Sequence, residues 1–329
     1  MKKTARIMTL GDIAHQCGVS PSMFSRVLNN APGISSAARK RILEVARQHN
    51  FILQKRRCPL ARTQLKLMIV IPEESAITMN PFFDISELLN AVNNAFAQDW
   101  KQIEVISFSH FLERIRSKAL HAHGIILAFG TIEKIARDFL IHEHIPYVFL
   151  NRNEQNYVSN NHYKGMLRLG EYLRAKGKTR IGYLGYRLSP INRDRFRGSM
   201  TMRFEATGTL DQESVHMVDS IDGINSLAAA FYLEKGCEAV MCFNDNFAIR
   251  LICKLQRLGK TIPGDISITG FDDSPLRQLF RPLITTISLS TYEMGFYASL
   301  CLKDNIIHRT SRRLNLEIEG KLIEGETVA

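Results

Sequence analysis

Polar side chains stand at the ends of predicted strands in the body of the chain, where they can form a binding site. Four follow strand-length apolar segments and one opens an R-x-x-G sequence; they are Asn151, Asn244, Asp245, Asp272 and Arg195. A carboxylate and a guanidinium suit a sugar, because vicinal hydroxyls can donate to the first and accept from the second. Phe83, after Asn80 and Pro81, offers a ring that can stack on a ligand ring. This set predicts a site for a small polyhydroxylated ligand.

Structural roles compete for several of these residues. Asp245 can cap the helix that follows it, and Asp273 is better explained as a structural residue than as a ligand contact. Phe82 and Phe83 fit a hydrophobic core as well as they fit a pocket. The sequence leaves these alternatives open.

Catalysis has little support in the same residues. Asp272 and Asp273 are adjacent, and adjacent side chains at one strand end rarely converge as an acid and a base. No nucleophile elbow, P-loop or dinucleotide-binding motif follows a predicted strand. The six cysteines lack the C-x-x-C spacing and histidine neighbours of a zinc site, so we expect reduced thiols. We therefore expect no enzyme, no metal and no cofactor.

The positive charge is concentrated at the amino terminus. The chain has 329 residues and a formal net charge of +11. Residues 1–66 contain 13 lysines and arginines but only two acids, whereas the other 263 residues contain 30 basic and 30 acidic groups. A small basic region on a neutral body is typical of a nucleic-acid-binding protein, although a solvated basic tail is an alternative. No apolar run suits a membrane span or a secretory signal, so we expect a cytoplasmic protein without a membrane partner.

Residues 1–53 are patterned as three short helices rather than as a basic tail. Gly18 supplies the positive φ that a sharp turn requires. Ser20 is a good N-cap for the next helix, and Pro21 suits its first turn. A third helix is predicted from residue 35 or 36 to about 49. Two short helices joined by a glycine turn predict a helix-turn-helix, whose second helix enters the major groove.

The amino-terminal segments T9-L-G-D-I-A14, G18-V-S20, S25-R-V-L-N29 and I34-S carry a dense match to one family. They closely resemble the DNA-binding head of LacI/GalR repressors. The resemblance implies that the DNA contacts include Pro21, Ser22, Ser25 and Arg26. Arg26 can donate two hydrogen bonds to guanine O6 and N7, which contribute about 1–3 kcal/mol of discrimination.

The linker, residues 54–66, is basic and lacks a clear periodicity. In the family that the head resembles, this hinge becomes helical on operator DNA, and a leucine of each subunit enters the minor groove. Counting along the chain assigns that place to Leu60. Cys58 and Pro59 depart from the family pattern, and Pro59 fits a helix only at its start.

The body, residues 67–329, alternates apolar strand-length segments with helical segments. Continuous apolar strands predict parallel sheets covered by helices on both faces. The alternation restarts after Asn151, which predicts two doubly wound lobes with a ligand crevice at the carboxyl ends of the strands. The predicted fold is thus a small all-α helix-turn-helix head followed by an α/β body of two parallel-sheet lobes.

The body resembles the sugar-binding core of the same family, which is itself similar to periplasmic sugar-binding proteins. R-x-x-G at Arg195 and G-F-D-D at 270–273 carry this resemblance, which implies that Arg195 clamps the effector; Leu289 stands where a polar contact is frequent. The expected domains are a DNA-binding head at 1–53, a hinge at 54–66, and an effector-binding and dimerisation body at 67–329, with a first lobe of about 67–155 plus 290–308 and a second of about 156–289 plus 309–329.

The sequence as a whole predicts a transcriptional repressor of carbohydrate-utilisation genes. We expect a homodimer that binds double-stranded operator DNA and is released or modulated by a small sugar effector. The chain ends without a leucine heptad, which favours a dimer over a tetramer. The same DNA-binding role with a nucleoside or purine effector is the alternative. A sugar-binding receptor or a sugar enzyme explains the basic head poorly.

Overall fold

The computed structural model divides into two units, Met1–Thr63 and Gln64–Ala329. It describes residues 14–15, 17–28, 34–48, 64–73, 82–152, 154–187, 189–208 and 213–329. Leu60 and the rest of the linker up to residue 63 lie outside the described residues, so the minor-groove role of Leu60 stays a prediction. The first strand begins at Leu65, two residues before the predicted start of the body.

The turn of the predicted helix-turn-helix is present and is built around Gly18, whose φ is +65°. The Gly18 N–H donates to the carbonyl of His15 and the Val19 N–H donates to that of Ala14. This pair of bonds is the Schellman arrangement that ends a helix with a left-handed residue. The Ser20 hydroxyl then accepts from the Met23 N–H at 3.1 Å and caps the next helix.

Two helices of the first unit are described, α1 (Pro21–Leu28) and α2 (Ser36–Gln48). Their buried apolar side chains pack together with those of the preceding turn: Ala14, Cys17, Phe24, Val27 and Ile42. The Arg41 guanidinium donates from Nη2 to the Cys17 carbonyl at 2.7 Å, so this arginine fastens α2 to the turn. The small core thus fixes the orientation in which α1 is presented.

A six-stranded parallel sheet forms the first lobe of the second unit, in the order β11-β5-β4-β3-β1-β2. Its strands are β1 (Leu65–Ile71), β2 (Lys101–Ser107), β3 (Gly124–Ala128), β4 (Tyr147–Leu150), β5 (Tyr157–Asn160) and β11 (Asn315–Ile318). Its helices are α3 (Ile85–Ala95), α4 (Phe108–Arg116), α5 (Lys134–His142) and α11 (Thr291–His308). The inner strands are buried on both faces, as their unbroken apolar sequences predict.

The second lobe contains a four-stranded parallel sheet in the order β7-β6-β8-β9. Its strands are β6 (Ile181–Tyr186), β7 (Val215–Val218), β8 (Ala239–Cys242) and β9 (Ser267–Thr269), and β10 (Thr286–Ile287) forms a separate antiparallel pair with β12 (Leu322–Ile323). Its helices are α6 (His162–Ala175), α7 (Asn192–Thr207), α8 (Ser226–Glu234), α9 (Asp245–Arg257) and α10 (Pro275–Leu279). The two parallel sheets confirm the predicted fold class.

The predicted lobe limits need correction at two places. β5 pairs with β4, and β11 pairs with β5, so residues 157–160 and 315–318 belong to the first sheet. The sequence pattern places both segments in the second lobe, because strands of only four residues, such as β5 and the edge strand β11, carry a weak apolar pattern. The helix α11 packs on α3 and so lies in the first lobe, as predicted.

Candidate functional site

A cavity of about 570 Å³ opens where the two lobes face each other. The first lobe contributes residues of α3 and α11, and the second lobe contributes the segment after β9. Carboxylates and hydroxyls predominate in its lining, which also includes two aromatic rings: Phe83, Asp84, Glu87, Asp272, Asp273, Pro275, Gln278, Ser288, Leu289, Ser290, Thr291, Tyr292, Glu293 and Lys321. Such a surface offers many hydrogen-bond acceptors and few cations.

Two of the six predicted effector residues, Asp272 and Phe83, line this cavity. The other four, all of which the structure describes, are not among its lining residues. Phe83 also packs against Phe82 and Phe129, with ring centroids 5.0 and 4.2 Å away. It is therefore both a core residue and a wall of the cavity, which reconciles the two interpretations of its position.

Arg195 lies fully buried at the centre of a polar network. Its Nη2 donates to Asp272 Oδ1 at 2.5 Å, its Nη1 donates to the Phe243 carbonyl at 2.5 Å, and its Nε donates to His162 Nδ1 at 3.2 Å. The guanidinium also stacks on the Phe271 ring, 3.9 Å from its centroid. All three nitrogen atoms thus donate to protein acceptors, and the fully buried guanidinium has no surface open to a ligand in this arrangement.

His162, which carries no motif in the sequence, connects this network to the first lobe. Arg195 can only donate, so Nδ1 of His162 accepts and Nε2 carries the proton. Nε2 then donates to Asn151 Oδ1 at 2.8 Å. Burial, together with the positive charges of Arg195 and Arg152, holds the pKa of His162 well below its usual value. The neutral ring therefore joins Asn151, after β4, to Asp272, after β9.

The ion pair formed by Arg195 and Asp272 is almost completely buried, with the two side chains 0% and 4% exposed. Burial raises the pKa of Asp272, and the Arg195 guanidinium and the Asn244 amide oppose this rise by stabilising the carboxylate. Asn244 also caps α9, because its Oδ1 accepts from the Phe247 N–H at 3.1 Å. Asn244 thus supports the network while it starts a helix.

Asp245 has two hydrogen bonds within the second lobe. Its Oδ2 accepts from the Ser274 N–H at 2.7 Å, and its Oδ1 accepts from the Thr286 hydroxyl at 2.6 Å. The side chain is fully buried, and this burial raises its pKa to about 8, against the opposing hydrogen bonds. These contacts favour a structural role, in which Asp245 fastens the segment after β9 and β10 to α9.

The substitution Asp245→Asn tests that role through the pH dependence of stability. Between about pH 4 and 8 the folded state retains a proton that the unfolded chain releases, so this carboxyl makes folding less favourable as pH rises. The amide can accept from Ser274 and donate to Thr286, and it has no charge to bury. We therefore expect the difference between the unfolding temperatures of the variant and the parent to grow in favour of the variant as pH rises from about 4 to about 8. The growth should reach several degrees, since about 1 kcal/mol corresponds to about 2–4 °C.

The control for this experiment is Asp265→Asn. Hydrogen bonds from Thr261 lower the pKa of Asp265, so its carboxylate contributes stability that is lost only as pH falls. This variant should show no relative rise toward pH 8. If the unfolding temperatures of Asp245→Asn and the parent change with pH in the same way, burial does not raise the pKa of Asp245 as described.

Four of the five predicted DNA-contacting residues, all except Leu60, fall on α1. The side chains of Ser22 and Arg26 are exposed, whereas Phe24 and Val27 are buried in the head core. Pro21 and Ser25 lie on the same helix, but their side chains are outside what the structure describes. The exposed positions are those expected of a recognition helix, and the DNA contacts themselves stay predictions.

The described part of the chain contains neither a membrane-spanning helix nor a metal cluster. Among these residues no helix is both long and apolar enough to cross a membrane. Nor do three histidine, cysteine, aspartate or glutamate side chains come together there in a way that could hold a metal ion.

Comparisons with family models match both parts of the chain. The model of bacterial regulatory proteins, lacI family, matches residues 9–54, and that of a periplasmic binding protein-like domain matches residues 171–328. The HTH-type transcriptional repressor PurR of Mannheimia succiniciproducens is 25% identical, over 97% of this chain and 98% of its own length.

Solved structures share the fold over nearly the whole chain. The complex of the transcriptional regulator CelR with cellobiose has a TM-score of 0.68 and 20% identity, covering 98% of this chain and 100% of its own. The lac repressor dimer bound to operator and the anti-inducer ONPF has a TM-score of 0.63 and 19% identity, with coverages of 98% and 100%. At these identities the likeness is one of fold.

Proposed function

Because the chain is a DNA-binding transcriptional repressor of the lacI family, we propose that it controls carbohydrate-utilisation genes and that a small sugar in the interlobe cavity releases or modulates it. Proteins of this family are transcriptional regulators and not enzymes, in agreement with the expectation from the sequence. Regulated repression needs a nucleic-acid-binding head and a ligand-sensing body. The proposal that the ligand is a sugar depends on the cavity.

The lining of the cavity is the observation that carries the sugar assignment. Carboxylate and hydroxyl groups of Asp272, Asp84 and Ser290 can accept from or donate to the hydroxyls of a sugar, and Phe83 and Tyr292 can stack on its ring. The CelR structure, which has the same fold, contains cellobiose. A phosphorylated sugar fits less well, because burial and the nearby carboxylates of Asp84 and Asp273 already raise the pKa of Glu87.

A purine or nucleoside is the second candidate. The relative named PurR aligns with almost the whole chain, and the Phe83 ring can stack on a planar base as well as on a sugar. Because either ligand would occupy the same cavity, one ligand panel tests both candidates.

Ligand binding would change DNA affinity by shifting the balance between two arrangements of the lobes. A ligand shifts that balance only if it binds one arrangement more tightly than the other. The cavity draws its walls from both lobes, and the buried chain of Asn151, His162, Arg195 and Asp272 also joins them. A ligand that contacts Asp272 therefore acts on a residue that already links the lobes.

We infer a homodimer on a pseudo-palindromic operator. One helix-turn-helix reads one half-site, and two-fold protein symmetry is matched by two-fold symmetry of the DNA site. Sedimentation of the full chain at micromolar concentration should give twice the mass of one chain, and a monomer or tetramer would overturn this part of the proposal.

Thermal unfolding of the full chain with a panel of free sugars, sugar phosphates, nucleobases and nucleosides tests the ligand assignment. We expect a free sugar to raise the unfolding temperature, because a ligand that binds only the folded state stabilises it. Phe83→Ala should weaken the binding of that sugar by about tenfold or more, the loss of about 1.4 kcal/mol of stacking and burial.

The matched control is Trp100→Ala, which removes an aromatic side chain that is 61% exposed and does not line the cavity. It should bind the sugar as the parent does. A response to purines alone would overturn the sugar assignment, and equal affinity in the Phe83→Ala variant would remove that ring from the site.

A further inference from the structure

A groove of basic character runs along the end of the first lobe that is opposite to the interlobe cavity. It consists of three depressions, of about 170, 500 and 270 Å³. The first two share Ala122, and the last two share His144, Pro146 and Asn305, so the three depressions adjoin one another along this end of the lobe. Its position and charge are independent of the ligand site.

The amino ends of the parallel strands form the floor of this groove. Lys66 is the second residue of β1, His123 directly precedes β3, and Pro146 directly precedes β4. Strands lie about 4.8 Å apart, so the edge of a six-stranded sheet extends for about 24 Å. Gln64, the first residue of the second unit, precedes β1 at the same end.

Among the ionisable side chains that line the groove, lysine, arginine and histidine outnumber the acids. Those that line it include Lys66, His121, His123, His144, Arg309 and Arg313. Within the part of the chain that the structure describes, neither Arg309 nor Arg313 forms an ion pair, and both are exposed. The two acids in the lining interact with neighbouring side chains: Glu104 accepts two hydrogen bonds from Arg114, and Glu143 contacts His142.

The arginine-rich loop 309–313 is held in place by a buried side chain. The Asn305 amide donates to the Arg312 carbonyl at 2.9 Å, and its oxygen accepts from the Arg312 N–H and the Thr310 hydroxyl, both at 2.9 Å. Asn305 is only 3% exposed. The loop therefore presents its guanidinium groups from a fixed backbone, which lowers the entropy lost on binding a partner.

We propose that this groove binds the phosphate backbone of duplex DNA outside the segment read by the head. A polyanion fits because the groove is long and its cations are spaced along it; about 24 Å corresponds to about seven base pairs at 3.4 Å each. Guanidinium groups suit phosphate, with which they form paired hydrogen bonds. The His123 ring contributes as well, since its Nδ1 accepts from the Lys66 N–H at 2.9 Å and leaves Nε2 to donate outward.

The test uses the full chain and a duplex selected from a random library, prepared as the selected site alone and with flanks of about 20 base pairs, about 68 Å. Arg309→Ala/Arg313→Ala should bind the short duplex as the parent does. On the long duplex we expect weaker binding, and a salt dependence whose log–log slope is smaller by about 0.9 for each phosphate that the variant no longer neutralises.

The matched control is Arg174→Ala/Arg257→Ala, which removes two exposed arginines of the second lobe and the same total charge. It should retain the parent's slope on both duplexes. Equal affinity and salt dependence for the groove variant and the parent on the long duplex would overturn the proposal. An equal loss of affinity on the short and the long duplex would overturn it as well. Failure of the parent chain to bind any duplex would instead contradict the function of the head, so the two failures are distinguishable.

Discussion

Arg195→Ala should lower the free energy of unfolding of the second unit by about 3–5 kcal/mol, because it leaves the buried carboxylate of Asp272 without its partner. The substitution also removes the donors to His162 and to the Phe243 carbonyl, so three buried acceptors lose a hydrogen bond together. At about 2–4 °C per kcal/mol, the expected fall in the unfolding temperature is about 10 °C. Denaturant titration of the full chain, followed by tryptophan fluorescence and circular dichroism, measures it.

Two variants separate the buried ion pair from the general effect of losing an arginine. Arg193→Ala, on the same helix, removes a side chain that is 79% exposed and should change stability by less than about 1 kcal/mol. Arg195→Met/Asp272→Leu should recover part of the loss, because no charge is then buried alone. If Arg195→Ala is as stable as Arg193→Ala, the central network does not hold the lobes as described.

Arg26→Ala should reduce operator affinity by about fivefold to about 150-fold per half-site, the equivalent of the roughly 1–3 kcal/mol that a bidentate contact with guanine contributes. The side chain is exposed on α1, and the head core of Phe24 and Val27 does not need it. Binding to unrelated DNA should change far less, since that binding depends on phosphate contacts. Titration of a fluorescent operator and of a scrambled duplex measures both affinities.

Lys40→Ala is the control for this experiment, because Lys40 is exposed on α2 and carries the same charge as Arg26. It should weaken binding to the two duplexes by similar small factors and leave their ratio unchanged. An Arg26→Ala variant that keeps the full preference for the operator would remove Arg26 from base recognition.

The elements that sequence patterns located best are those whose pattern is unambiguous. β1 occupies residues 65–71, close to the predicted start of the body, because an almost unbroken apolar segment suits a strand buried on both faces. The turn at Gly18 follows equally directly, from the positive φ and the cap at Ser20. Both signals are local, so no knowledge of the distant chain is needed.

The parts that the sequence did not reveal depend on distant contacts. β11 is a half-exposed edge strand and lacks a continuous apolar run, so only its pairing with β5 identifies its lobe. His162 carries no motif, and the packing of α6 against α7 brings it to Arg195. The predicted arginine and aspartate do meet, but they meet each other in the buried core, which residue types at strand ends cannot specify.

The most direct test of DNA binding by the full chain is to select sites from a random duplex library. Binding to the most enriched sequence is then measured over a range of salt concentrations. We expect a pseudo-palindromic site whose affinity falls steeply, by about 10³–10⁵ between about 50 and 200 mM salt if six to ten phosphates are neutralised. If no sequence is enriched, or if the affinity does not change with salt concentration, the chain does not act as a sequence-specific DNA-binding regulator.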